Sequence, residues 1–203
     1  MAKLNATMRD EQQRSNAVDM SIAAAELHIA SLRDLQTAEL VRSIAKTLAS
    51  ATRVYAIGFG FSAHLATMLT LALQPYRENV VNVAQYGATE SAAARLMSVT
   101  EGHVLVAISF PRYSRDVVDM VRYARDNGAR IVTLTDSSAS PGARYADDLL
   151  RAPAQHPVIS SSSVSAMVLI EELVSEFLLA DPNNLKRAEK LAAAIASYQA
   201  TND

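Results

Sequence analysis

Apolar residues recur with a helical period at the start of the chain and then gather into short continuous runs. From Val18 they fall at Ile22, Ala25, Ile29 and Leu32, a spacing that predicts an amphipathic helix. Thr37 stands where an N-cap would open a second helix, with Leu40 or Val41, Ile44 and Leu48 on its buried side. The texture then changes. RVYAI (53–57), NVVNVA (79–84), HVLVAI (103–108) and RIVTL (130–134) are β-rich runs, and Asp148 to Arg151 is a short fifth. Residues 61–74, 88–98 and 114–127 between them read as helices, the last closed by Asn127-Gly128, a pair suited to a left-handed cap. Helices over about 162–179 and 183–198 complete the chain.

Strands that alternate with helices and are themselves continuously apolar predict a parallel sheet covered on both faces. Five such strands predict an α/β fold of doubly wound, flavodoxin-like order. Residues 1–20 read as a polar lead-in or linker and residues 21–203 as one domain. The helix SVSAMVLIEELVSEFLLA is apolar around most of its circumference, with a narrow polar stripe of Ser165, Glu172, Ser175 and Glu176. Such a helix lies within the core or is covered by a partner.

Composition narrows the classes. The chain has 203 residues, 50% hydrophobic and 20% charged, which suits one globular domain with a core of its own. A formal net charge of −2 supplies no basic excess to drive nucleic-acid binding. Absence of cysteine excludes disulfides, zinc–thiolate sites and thiol catalysis. The N-terminus is polar without an apolar signal core, and no apolar run approaches the ~18 residues of a membrane helix, so a cytoplasmic protein is expected.

In an open parallel sheet ligands sit beyond the carboxyl ends of the strands, so the loops there carry the candidate chemistry. After the first strand comes GFGFS, Gly58 to Ser62. Gly58 and Gly60 permit a tight turn and close backbone approach, and the helix from Ser62 aims free N–H groups at the same place. A purely structural turn fits the same residues. After the third strand comes SFPRYS, with Ser109 at the strand tip and Ser114 at the next helix start. Ser114 has an ordinary reading as an N-cap, and Arg112 as a solvated loop residue. Together with GFGFS these hydroxyls would form an anion cradle, to which Arg112 adds a planar cationic fork. After the fifth strand ISSSSVS offers more hydroxyl donors at a helix mouth. Tyr113 has two readings, packed over a ligand or on the surface. His64 and Glu90 are rim candidates, with helix packing and a solvated charge as the alternatives. His28, His103 and His156 show no metal-ligand spacing, and neither a Walker lysine nor a nucleophile elbow is present.

GFGFSAHLATMLTLAL, followed by HVLVAISFPRYSRDVVDMVRYARDNGARIVTLTDSSASPGARYADDLL, resembles the SIS (sugar isomerase) domain in the version found in RpiR-type transcriptional regulators. The resemblance runs from about residue 35 to 180. It implies a three-layer αβα sandwich that forms a homodimer and binds a phosphosugar, a carbohydrate derivative, in the service of transcription regulation. It implies that Ser62, Ser109 and Ser114 hold the phosphate and that Ser161, Ser162 and Ser163 close the sugar end. Two departures stand out. Many SIS domains carry Ser-Gly between the two turn serines, where this chain has Phe110-Pro111-Arg112-Tyr113. RpiR-type regulators also carry an N-terminal helix-turn-helix domain, for which the lead-in is too short, so no nucleic-acid contact through this chain alone is expected. No metal, cofactor or membrane partner is expected either.

The alternative is an aldose–ketose isomerase of sugar phosphates, and a third reading is an oligomerisation domain with a lapsed pocket. Isomerases resembling this chain carry a glutamate near the start of the helix after the last strand. Here that stretch is SSSSVSAM, and the first carboxylate, Glu171, lies about 11 Å further along the axis at about 1.5 Å per residue. No catalytic residue is therefore expected, with His64 and Glu90 as the substitutes to watch.

Overall fold

The structure is a computed structural model and describes residues 3–4, 8, 10, 16–85 and 89–199. Most of the predicted lead-in, residue 88 of the predicted fourth helix and residues 200–203 lie outside the described residues.

Helix α1 (Ala17–Leu35) and helix α2 (Ala38–Ser50) precede the sheet. There follow β1 (Arg53–Ile57), α3 (Ser62–Leu73), β2 (Val80–Asn82), α4 (Thr89–Leu96), β3 (His103–Ile108), α5 (Arg115–Asp126), β4 (Arg130–Thr135), β5 (Asp148–Arg151), α6 (Val164–Ala180) and α7 (Asn183–Gln199). All strand pairs are parallel, in the order β2-β1-β3-β4-β5. This is the predicted flavodoxin-like order, in three layers.

The two-residue period of the strands divides the core. Val54, Ala56, Val104, Val106, Ile108, Val132 and Leu134 pack on one face against α2, α3 and α6. Tyr55, Ile57, Leu105, Ala107 and Ile131 pack on the other against α4 and α5. Every residue of β3, the central strand, is buried. That is why it reads as an unbroken apolar run. The chain moves from β1 to β2 in one direction and from β2 to β3 in the other, so β1 and β3 are neighbours across a topological switch. The loops leaving their carboxyl ends diverge to opposite faces and leave a crevice between them.

Helix α2 begins at Thr37, whose Oγ1 accepts a hydrogen bond from the Leu40 N–H at 3.2 Å. Val41, Ile44, Ala45 and Leu48 are buried, with Leu40 partly so. Its carboxyl end is capped from a distance by Arg77, which donates to the carbonyls of Leu48 (2.7 Å), Ala49 (2.8 Å) and Ala51.

Three features go beyond what the pattern could say. The apolar row of α1 does not face the core. Leu32 is its one buried residue, while Val18, Ile22, Leu27 and Ile29 are exposed. The helix meets α6 and β5, and its carboxyl end is pinned to β5 where Arg151 N–H donates to Gln36 Oε1 (3.3 Å) and Arg151 Nη2 to the Leu35 carbonyl (3.1 Å). Second, α6 takes the core alternative: Ala166, Leu169, Ile170, Leu173 and Phe177 are buried within this chain. Ser165 drops out of its polar stripe, being fully buried with its hydroxyl donating to the Pro153 carbonyl. Third, β2 is shorter than predicted, because Asn82 ends it. Its side chain donates to Thr67 Oγ1 (2.9 Å) and accepts from the Ala84 N–H (3.2 Å), which turns the chain.

Candidate functional site

Two connected cavities open in the crevice beyond β1 and β3. The inner one, about 160 Å³, is lined by Gly60, Ser62, Ser109, Arg112 and Ser114 with Phe59, Ile108, Phe110 and Val117. At about 30 Å³ per water this is roughly the space of five waters, enough for a phosphate group. The outer one, about 680 Å³, shares Phe59, Gly60, Ser62, Phe110 and Arg112 with it and extends to Ser160, Ser161, Ser162, Ser163, His156 and Ile159.

The inner cavity is built of unused donors. Ser62 and Ser109 are buried, yet neither hydroxyl has a hydrogen-bond partner among the described residues. Ser114 occupies the N-cap position of α5, but its side chain makes no capping bond. The ordinary reading of that serine is therefore not what the geometry shows. The amino ends of α3 and α5 meet here with the positive ends of their dipoles, although in α3 the Ala63 and His64 N–H groups already donate to the carbonyls of Gly60 (3.2 Å) and Phe61 (3.1 Å). Arg112 lines both cavities, and its guanidinium makes no ion pair or hydrogen bond among the described residues. A cluster of hydroxyls, N–H groups and one unpaired cation matches an oxyanion of high charge.

The two glycines of GFGFS differ. Gly60 has φ +57°, a conformation that glycine adopts at little cost, and it lines both cavities. Gly58 lines neither. A Cβ there would lie 2.4 Å from the Ser62 carbonyl oxygen, so its role is to let the first turn of α3 close onto β1. Arg112 is the one non-glycine residue with positive φ among the described residues, at +65°. This twist sends successive side chains apart. Arg112, an exposed residue, lines both cavities, whereas Tyr113 lines neither and donates its hydroxyl to Asp136 Oδ1 at 2.7 Å. Burial, then the hydrogen bond and charge of Asp136, push the Tyr113 phenol up to about 12.

The serine run forms the outer wall. The Ser162 N–H donates to the Ala154 carbonyl (2.9 Å), which holds the loop, and Ser162 Oγ accepts weakly from the Val164 N–H (3.4 Å). Ser163 is the N-cap residue of α6 without a side-chain capping bond, and the Ser160 and Ser161 hydroxyls have no partner among the described residues. His64 lines neither cavity and packs edge-on to Phe61, and Glu90 lines neither. Glu171 lies in a separate groove between α1, α2 and α6 with Arg33 and Glu172. No group of three or more His, Cys, Asp or Glu residues comes together among the described residues to hold a metal ion.

Two site residues escaped the sequence reading. His156 lines the outer cavity, with its Nδ1 accepting from the N–H groups of Val158 (3.1 Å) and Ile159 (3.0 Å). Its proton therefore resides on Nε2. Asp136 lies outside both cavities but holds Tyr113. The available signal for each was its place just beyond the carboxyl end of a strand, β5 and β4 respectively.

Comparison with known proteins agrees with the fold. The SIS domain family matches residues 47–176. An uncharacterized HTH-type transcriptional regulator of Clostridium perfringens is 29% identical over 121 residues, which cover 59% of this chain and 42% of that protein. The match thus spans less than half the length of that regulator. Among solved structures, the sugar isomerase domain of an RpiR transcription factor from Sphaerobacter thermophilus superposes with a TM-score of 0.80 at 23% identity, covering 88% of this chain and 99% of that one. The Vibrio vulnificus NanR protein complexed with ManNAc-6P gives 0.77 at 20% identity, over 95% of this chain and 74% of that one.

Proposed function

The chain belongs to the SIS domain family, and from that premise we propose that it is the sugar-phosphate-sensing domain of an RpiR-type transcriptional regulator. The observation that carries this is the set of three unpartnered hydroxyls, Ser62, Ser109 and Ser114, around a phosphate-sized cavity beside the unpaired guanidinium of Arg112. The outer cavity, with Ser161, Ser162, Ser163 and His156 opposite the apolar Phe59, Phe110 and Ile159, receives the sugar. The sugar phosphate named with NanR belongs to the ligand class this arrangement suits. We assign DNA reading to a separate domain. A second copy of the chain covers the exposed apolar rows of α1 and α7, making the sensor a homodimer.

Sensing is favoured over isomerisation by the titratable groups at hand. Proton transfer between adjacent sugar carbons needs a base within hydrogen-bond reach. The described lining of both cavities contains no carboxylate. His156 is the one histidine there, and its Nδ1 lone pair is already committed to two backbone N–H groups. It is set up to donate through Nε2, not to abstract a proton.

The test is a thermal-shift panel of glucose 6-phosphate, ribose 5-phosphate and N-acetylmannosamine 6-phosphate, each beside its unphosphorylated sugar. A ligand at 100 times its Kd stabilises the native state by about 2.7 kcal/mol. Stabilisation by at least one phosphate and by no free sugar is expected. No shift by any phosphate, or equal shifts by phosphate and free sugar, would overturn the reading.

A further inference from the structure

The loop that carries Arg112 and Ser114 has an anchor outside the site. Ser109 is held by β4, since its N–H donates to the Leu134 carbonyl at 3.0 Å. Ser114 is held by α5, where its carbonyl accepts from the Val118 N–H. Between them Phe110-Pro111-Arg112-Tyr113 must keep a left-handed residue that is not glycine, a conformation in which Cβ crowds the following carbonyl. No regular secondary structure imposes it. Tyr113 is the side chain next to the twist, and its hydroxyl reaches across to Asp136 Oδ1 at the end of β4. Thr135 Oγ1 also approaches that carboxylate oxygen, at 3.4 Å.

We propose that Asp136 is a positioning residue of the site: through Tyr113 it holds Arg112 in its left-handed conformation and so keeps the guanidinium in the phosphate cavity. Asp136 touches no ligand on this account. Without the bond from the phenol, the loop relaxes towards ordinary backbone angles, and a relaxed residue 112 no longer carries its side chain to the same side of the loop. The serines keep their places, because β4 and α5 hold them independently. Loss of the latch therefore removes the contribution of Arg112 to anion binding and leaves that of the serines. The half-buried, carboxylate-bound state of the phenol, raised to about 12, supplies a spectroscopic handle on the latch that does not depend on any ligand.

This inference rests on the sugar-phosphate reading, and the experiment separates the two. Inorganic phosphate and N-acetylmannosamine 6-phosphate are titrated into wild type, Asp136→Ala, Asp136→Asn and Tyr113→Phe, followed by calorimetry and by ³¹P line width. Asp136→Ala and Tyr113→Phe are expected to bind about tenfold more weakly, and Asp136→Asn, which keeps a carbonyl acceptor, within about threefold of wild type. In an Arg112→Gly background, where residue 112 is freely left-handed and the guanidinium is gone, Asp136→Ala should add less than about a twofold loss. Ultraviolet titration should show a late tyrosine step in wild type that moves to lower pH in Asp136→Ala. Wild-type affinity in both Asp136→Ala and Tyr113→Phe overturns the proposal. So does a loss from Asp136→Ala that is equally large in the Arg112→Gly background, because that is the mark of general loosening. If wild-type protein binds neither probe, the sugar-phosphate reading itself falls and the positioning role with it. Tyr113→Phe removes a single oxygen, so it serves should Asp136→Ala fail to fold.

Discussion

Replacing Ser109 and Ser114 with alanine tests whether the unpartnered hydroxyls exist for a ligand or for the fold, because the two roles predict opposite pairs of readings. A hydrogen bond to a charged group contributes about 1.5–3 kcal/mol, and about 1.4 kcal/mol is a factor of ten in affinity. Each single alanine should therefore weaken sugar-phosphate binding by roughly tenfold or more. The double variant should fall further but short of full additivity, since both hydroxyls serve one phosphate. Stability should move differently. Ser109 is 7% exposed and its hydroxyl satisfies no protein group, so alanine there removes a polar atom from a buried slot without orphaning a partner. Ser114 makes no capping bond and should cost less than the ~1 kcal/mol of a working cap. Thr37, which does cap α2, supplies the control: Thr37→Ala should lose about 1 kcal/mol of stability and no affinity. Calorimetry and urea unfolding on the same preparations read both quantities. Wild-type affinity in the double variant would refute the cradle. A stability loss matching that of Thr37→Ala would show that the serines belong to the fold.

Three further outcomes follow from the packing. Arg77→Ala should destabilise the protein by roughly 2–4 kcal/mol in urea melts, because three carbonyls at the end of α2 lose a charged donor, and Arg77→Lys should recover only part of this. Burial lowers the pKa of His103, so the folded state binds fewer protons than the unfolded state, whose value is about 6.5; stability should fall as pH drops through about 6.5 towards the depressed value, and the decline between pH 7.5 and 5.5 should be shallower in His103→Gln. Light scattering should give a dimer, and Ile22→Glu on α1 with Ile195→Glu on α7 should yield a folded monomer, whereas a monomeric wild type would remove the second copy from the proposal.

The sheet was legible because burial on both faces leaves a strand few polar positions. HVLVAI could hardly be anything else, and its exit marked the site. Helix α1 shows the limit of the same signal. Periodicity at Ile22, Ala25, Ile29 and Leu32 reports that an apolar row exists, not what covers it, and in that row only Leu32 proves to be buried, with Ile22 and Ile29 exposed. For α6 the uniform apolarity was compatible with core or interface. The choice depended on where α1, α2 and α3 pack, which is long-range information absent from a local window.

Within the site, the hydroxyls were found because they sit at element boundaries, where residue type and position can be read together. What could not be read was direction. Arg112 and Tyr113 are adjacent, and both looked like ligand contacts, yet a positive φ at residue 112 turns one to the cavities and the other to Asp136. Gly58 and Gly60 looked alike, yet one is required by a contact with Ser62 and the other by its own dihedral. In each pair the residues lie at most two positions apart and do different work. What separates them is the backbone angle at a single position, and its cost shows only when the tethers on either side are known. The loop between Ser109 and Ser114 is held at one end by β4, at the other by α5, and in between by a phenol on a carboxylate contributed from 23 residues further along the chain. A sequence window spanning the loop contains the strained residue but not the group that restrains it.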